Sequence, residues 1–531
     1  MDFIFYITLF LFIVLFGSLD INIDYDFWAR LIVGKSFFQT GILFNNDFYS
    51  FGKTHLFIDH EWGSSLIFYL IQNFFGDVGL FLFKVLMIFL TFFLITKTIK
   101  LKNDSTKLHF LLFFFAIHSV CYNIFSTIRC QIFSFFFFVF YIYILEYARK
   151  KKNYKILWVL PVLNIIWANL HGGFVLGIAM ILLFAIGEKL NKSPSKPYFI
   201  ACFASFLTSF INPYGIKYLI YIFDAFALNR VHIPEWQSAF FNKNYVFDLL
   251  KFKIFFFVTL VCWVFCLIKN LKQNIKEFYL KLDKTKYLIL LFSTLIALKS
   301  IRCHPFFTYC VLVYCYCDFN NFFKINFLKK TNIFIDIVLF VLIGVSSISH
   351  LYSYKFQNVV NENFYPVKSV EFIKENNLKG NIFTNFHTAS YVIYKLYPNN
   401  HIYMDGRYEE VYDDSLINNM GKFFLGEDYR EFLEHYHFDI LIMDKTYPKV
   451  IEYLKRDSDW FLAFDEKAFC VFLPAGLKNK SFVYPKRTLD EINKDKFLTN
   501  INWLWLLQLL HFLFIILFIK YNNIDTIFLG S

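Results

Sequence analysis

A succession of long apolar runs governs what this chain can become. They fall at residues 3–19, 77–99, 107–124, 131–148, 155–168, 173–188, 199–212, 251–269, 287–301, 305–319, 331–349 and 501–520. About 18 or more apolar residues are enough to cross the hydrocarbon core of a bilayer as a helix. Twelve such runs predict a polytopic α-helical membrane protein, with the shorter runs tilted or dipping into the bilayer. A further apolar stretch at 63–75 is too short to cross and fits a helix lying at the membrane surface. Of the 531 residues, 57% are hydrophobic and only 18% charged. A soluble chain of that length splits into domains with polar exteriors and cannot hide so much apolar surface. Residues 3–19 follow no basic stretch and end in no small-residue cleavage site, which predicts a retained first span.

Charge placement gives the orientation. Lysines cluster around 97–107, 149–155, 189–196, 269–286 and 324–330, in alternate loops. The positive-inside bias makes these loops cytoplasmic, and both termini with them. The net charge of +12 is therefore a topology signal and no nucleic-acid footprint. The ten cysteines lie mostly within apolar runs and read as small hydrophobes. Cys130 and Cys303 fall near predicted outer ends, either as a pair or by chance.

The outer loops hold nearly all the distinctive polar motifs. They comprise 20–62, turns near 126–129 and 169–171, the segment 212–250, a tight turn at 302–304, and the stretch from about 350 to 498. Within the last, short strand-like runs alternate with charged helical ones. A helix is predicted over 366–377, and strands over 381–385 and 401–404 with a helix over 388–396 between them. A helix over 427–437, a strand over 438–444 and two closing strands near 460–464 and 469–473 complete a small α/β domain. The division is then a multi-spanning domain over 1–349, an extracytoplasmic α/β domain over 350–498, and a terminal span with a short tail over 499–531.

The first outer loop carries Asp24-Tyr25-Asp26-Phe27-Trp28 and, later, Asp59-His60-Glu61-Trp62. Carboxylates two residues apart point the same way in extended chain. They can share a proton, a metal or a substrate hydroxyl, and one can act as a base. The same spacing also fits a solvated loop that caps the next helix. His60 and Glu61 lack the second histidine of a His-Glu-x-x-His site, so no metal and no cofactor are expected. Arg129, Arg302 and His304 sit at predicted outer ends of spans. Guanidinium there suits a phosphate, or simply snorkels to the headgroups. His171, in Asn169-Leu170-His171-Gly172-Gly173, faces a cavity or packs between helices. Glu235, in Pro234-Glu235-Trp236, is an outer acid beside an interfacial aromatic. Arg407, in Met404-Asp405-Gly406-Arg407, pairs with Asp405 or reaches a substrate.

The order of these motifs, with Asn212-Pro213-Tyr214-Gly215 among them, resembles a bacterial family of polytopic GT-C-type glycosyltransferase-like membrane proteins. That family is related to the protein O-mannosyltransferase and lipid A aminoarabinose transferase group. The likeness covers about 20–475 and implies a GT-C-like fold. It implies transfer of a sugar from a polyprenyl-phosphate donor to a lipid, glycan or protein acceptor on the outer face. Asp24 and Asp26 match the first-loop acid that serves as base. Arg129, Arg302 and His304 suit the donor phosphate, and His60, Glu61, His171, Glu235 and Arg407 complete the expected substrate-binding set. The chain departs from the pattern at Arg129-Cys130, where Arg-Pro is usual, and at Trp28-Ala29-Arg30, where Trp-His is usual. Two competing readings are a transporter or flippase for lipid-linked saccharides and a non-catalytic envelope assembly protein. The first needs ionisable groups at mid-membrane and matched halves. The second needs activity that survives changing Asp24 and fails without the α/β domain.

Overall fold

The computed structural model describes the chain except for residues 1, 20–23, 44–45, 53–56, 105, 107, 109, 126–127, 228–233, 243–245, 272–281, 323–340, 342, 344–359, 361, 408–410 and 486–531. Nearly all of the predicted span at 331–349, and the whole of the one at 501–520, lie outside the described residues.

The first half is a stack of helices. They run Asp2–Leu19, Tyr25–Thr40, Trp62–Lys102, Phe110–Ser119, Gln131–Lys151, Val159–Leu170, Phe174–Leu190, Lys196–Thr208, Ile216–Ala227, Val246–Leu271, Lys284–Lys299 and His304–Phe322. The Trp62–Lys102 helix is two helices joined at Gly76, whose φ of 59° and ψ of −153° lie outside the helical region. Glycine alone enters that region cheaply. The break separates the short apolar stretch at 63–75 from the run at 77–99.

The expectation of twelve crossings is corrected here. Among the described residues, two helices, Trp62–Lys102 and Gln131–Lys151, are long and apolar enough to cross a membrane unaided. Others are shorter apolar helices, such as Phe3–Ser18 and Tyr154–Leu170. Their outer surfaces nonetheless invert the soluble pattern. Leu82 and Leu86, Phe203 and Leu207, Phe257 and Val261, and Leu291 and Leu295 are all exposed. Each pair is four residues apart, so each forms a vertical apolar stripe. Stripes of this size on many helices at once suit lipid and not water.

The C-terminal described part carries a five-stranded mixed sheet. Its strands are β1 (Gly380–Phe383), β2 (Asn400–Ile402), β3 (Ile440–Asp444), β4 (Trp460–Asp465) and β5 (Phe469–Pro474), in the order β2-β1-β3-β5-β4. β1 runs parallel to both β2 and β3, while β5 is antiparallel to β3 and β4. The Phe386–Leu396 helix connects β1 to β2 and packs on the Tyr25–Thr40 helix.

The first loop joins this sheet. Ser50 makes a parallel bridge to Ile402 at the β2 edge. Phe51 N donates to Ile402 O at 2.9 Å, and Ile402 N donates to Tyr49 O at 3.1 Å. Trp28 packs edge-on to Tyr391 at 5.0 Å, and Tyr25 lies 5.0 Å from the His387 ring. The loop is thus held between the helical stack and the sheet.

Candidate functional site

Asp24 has extended backbone angles and caps the start of the Tyr25–Thr40 helix. Its Oδ1 accepts from Asp26 N at 3.0 Å, which satisfies one of the open N–H groups of the first turn. Its Oδ2 takes the Arg129 guanidinium in a close ion pair. Arg129 Nη1 also donates to both oxygens of Glu235 at 2.8 Å. Arg302 approaches the same Glu235 at 3.5 Å and stacks over Trp236 at 4.9 Å. Ser300 Oγ donates to Glu235 O and Ile301 N to Gln237 O, so the two turns carrying Glu235 and Arg302 are hydrogen-bonded together. Four segments far apart in sequence thereby meet through alternating charges. Both carboxylates of this chain of contacts hold Arg129 above the usual guanidinium range, although burial works against them. Burial, with Arg129 next to it, draws Arg302 down.

Asp26 is different. It is exposed to solvent, yet protein surrounds it closely enough that burial, reinforced by Asp24, pushes its carboxyl up to about 7. Arg129, Arg30 and Arg302 pull the other way. A group reached by water but ringed by protein stands in a cleft. Nearby lies Gly406, where a Cβ would stand 2.9 Å from Asp26 Oδ1. The Asp-Gly-Arg turn thus passes close to the carboxylate, and a side chain there would push Asp26 aside.

On the other side lie Glu61 and His171. Glu61 Oε1 is 3.5 Å from His171 Nε2 and 3.7 Å from His60 Nε2, and Oε2 is 3.5 Å from Arg30 Nε. His171 Nδ1 accepts from Gly173 N at 2.9 Å and lies 2.7 Å from Ser134 Oγ. An Nδ1 that accepts leaves the ring proton on Nε2, aimed at Glu61. Burial draws His171 down to about 4, against the pull of Glu61. Burial alone raises Glu61, but His60, Arg30 and His171 outweigh it and hold the carboxyl at about 2. With His171 neutral at pH 7, Arg30 is the steady cation among them. Trp62 Nε1 donates to Asn169 Oδ1 at 2.8 Å and Ser64 Oγ to Leu170 O at 2.5 Å. These bonds tie the Asp-His-Glu-Trp motif to the Asn-Leu-His-Gly-Gly turn.

The structure therefore brings Asp24, Asp26, His60, Glu61, Arg129, His171, Glu235 and Arg302 into one region. Two expected members lie elsewhere. His304 is fully buried, stacks on Phe252 at 3.4 Å and meets Tyr122 through Nδ1. It packs inside the helical stack against the Phe252 and Tyr122 rings. Arg407 is also enclosed, at 2% exposure. It donates to Asp405 at 2.9 and 3.0 Å, to Asp47 at 2.7 Å and to Tyr412 at 3.0 Å. These bonds join the first loop to the segment after β2. Cys130 and Cys303 are free thiols.

The sequence reading missed Arg30 and Asp59. Both are buried and form a close ion pair, and Asp59 Oδ1 also accepts from Glu61 N at 2.9 Å. The clue was Arg30 itself, a cation in the place of the usual Trp-His, one helical turn past Asp26. Among the described residues, no group of three or more His, Cys, Asp or Glu side chains is arranged to hold a metal ion.

The structure resembles that of the archaeal oligosaccharyltransferase AglB from Archaeoglobus fulgidus, solved with an inhibitory peptide and a dolichol-phosphate. The superposition has a TM-score of 0.53 and covers 82% of this chain and 69% of that one, at 10% sequence identity. At that identity the likeness is one of fold. No protein-family profile matches the sequence, and no curated protein matches it significantly.

Proposed function

We propose that the protein is a membrane glycosyltransferase that moves a sugar from a polyprenyl-phosphate donor to an acceptor at the outer membrane surface. The observation that carries this reading is the meeting of the first-loop acids with Arg129 and Arg302 beside a cleft. Sugar transfer from a lipid phosphate needs a base at the acceptor and cations at the leaving phosphate, within reach of lipid. The fold it shares with a dolichol-phosphate-bound oligosaccharyltransferase supports a lipid-linked donor.

The two aspartates take separate roles. Asp24 is engaged by Arg129 and by the helix N-terminus, so it sets the position of Arg129. Asp26 is open to the cleft and titrates near neutrality, which matches a base to its working pH. It accepts the proton of the acceptor hydroxyl as that oxygen attacks the anomeric carbon, and the bond to the lipid phosphate breaks. Arg302, 3.5 Å from Glu235, faces the leaving phosphate. Glu235 holds both guanidiniums in place until the donor arrives.

The test is Asp26→Asn in the full chain, reconstituted with polyprenyl-phosphate-linked sugars. Transfer should fall by about a thousandfold or more, as expected for loss of a base, while insertion and thermal stability stay unchanged. Transfer at the wild-type rate overturns the assignment.

A further inference from the structure

The parallel strands β1, β2 and β3 all point their carboxyl ends at the first-loop acids. After β2 comes Gly406, packed against Asp26. After β1 come Asn385 and His387, and the His387 ring lies 5.0 Å from Tyr25, between the two aspartates in sequence. β3 ends at Asp444, whose Oδ2 accepts from Asn385 Nδ2 at 2.8 Å. Asp24 and Asp444 both act on the charge of His387 and on that of Tyr25. From β1 the chain crosses one way to β2, while β3 lies on the other side, so the order reverses between β1 and β3. In open α/β sheets this switch point, at the carboxyl ends of the strands, is where ligands bind.

We propose that the carboxyl ends of β1, β2 and β3, together with Tyr25, form the acceptor wall of the cleft and bind a polyhydroxylated saccharide acceptor. This inference rests on the sugar-transfer reading above and deepens it.

The chemistry of the wall favours hydroxyl groups. His387 is exposed, and Tyr25 and Asp444 are partly so. An aromatic ring beside an imidazole and a carboxylate offers a sugar a flat face and polar partners for its hydroxyls. Asp444 is fixed for this task, because Thr446 N and Oγ donate to its Oδ1 at 2.9 and 2.7 Å. An extended peptide is less suited. The β2 edge it would add to already pairs with Ser50, so strand addition there is closed.

The test uses the full chain in lipid nanodiscs and saturation-transfer NMR with three soluble probes, lactose, chitotriose and maltotriose. At least one should bind, and His387→Ala should weaken it fivefold or more. Asp444→Asn should do the same if the thermal transition is unchanged; His387→Ala, on an exposed residue, stands as the test if it is not. Asp26→Asn should abolish transfer in the same preparation. Absence of binding by all three probes overturns the inference, as does binding that His387→Ala leaves unchanged. So does binding displaced by an unglycosylated peptide. If the inference falls while Asp26→Asn still abolishes transfer, the sugar-transfer reading stands without its acceptor wall.

Discussion

Neighbouring carboxylates in one loop do different work because their surroundings differ. Asp24 finds a cation and a helix N-terminus, whereas Asp26 finds a cleft and a like charge. As the base, Asp26 works only when deprotonated, so the transfer rate should climb as pH rises through about 7. Arg302 lowers the Asp26 carboxyl. Replacing it with Gln removes a stabilising positive charge, so the protonated form persists to higher pH. The midpoint of the rate profile should therefore move upward in Arg302→Gln. A downward or absent shift, read from single-turnover rates across pH 5 to 9, would show that Arg302 does not act on the base. Much at this scale was legible in the sequence. An acid, a histidine or an arginine near a span end is conspicuous, and eight of those singled out do meet. Burial was not legible. His304 and Arg407 carry the same side chains as open ligands, and only packing from Phe252, Asp47 and Tyr412 tells them apart.

Between elements, the contacts explain why the loop is rigid enough to position a base. The Arg407 guanidinium sits among Asp405, Asp47 and Tyr412 with its side chain wholly enclosed. Arg407→Met leaves two buried carboxylates without their cation. Breaking such a pair costs about 3–5 kcal/mol, which should appear as a clear drop in the thermal transition. Gly406→Ala probes position without removing charge. A Cβ there meets Asp26 Oδ1 at 2.9 Å, so the carboxylate must move. Misplacement of a catalytic group by about 1 Å costs about a hundredfold in rate, so a shift of a few tenths of an ångström should cost about tenfold or less, with stability little changed. The strands were readable as short apolar runs between charged helical ones, since each of β1 to β5 overlaps the run predicted for it with ends shifted by one or two residues at most. The Tyr25–Thr40 helix was not, because its polar and apolar residues follow no helical stripe; both its faces are covered, one by the Trp62–Lys102 helix and the other by the Phe386–Leu396 helix.

Across the whole molecule, the acid-rich motifs and the lysine-rich loops belong to opposite ends of the helical stack. The lysine-rich end does more than set orientation. Arg149 reaches Glu188 at 3.0 Å and Asp283 at 2.7 and 2.9 Å, which ties the Gln131–Lys151, Phe174–Leu190 and Lys284–Lys299 helices together. Lys102 adds Glu146 at 3.3 Å. An ion network at that end, with apolar stripes between it and the cleft, is what a membrane-embedded stack requires. Lysine clusters are retained on the cytoplasmic side, so the cleft should open outward. The prediction is specific to two exposed positions. In a chain stripped of its native cysteines, His387→Cys should react with a membrane-impermeant maleimide added to intact cells. Lys151→Cys should react only after the membrane is permeabilised. The opposite pattern would turn the molecule over and put the acids on the side of the soluble nucleotide sugars. A lipid-phosphate donor would then lose its rationale, because the reason to carry a sugar on a lipid is that the reaction takes place where nucleotide donors are absent.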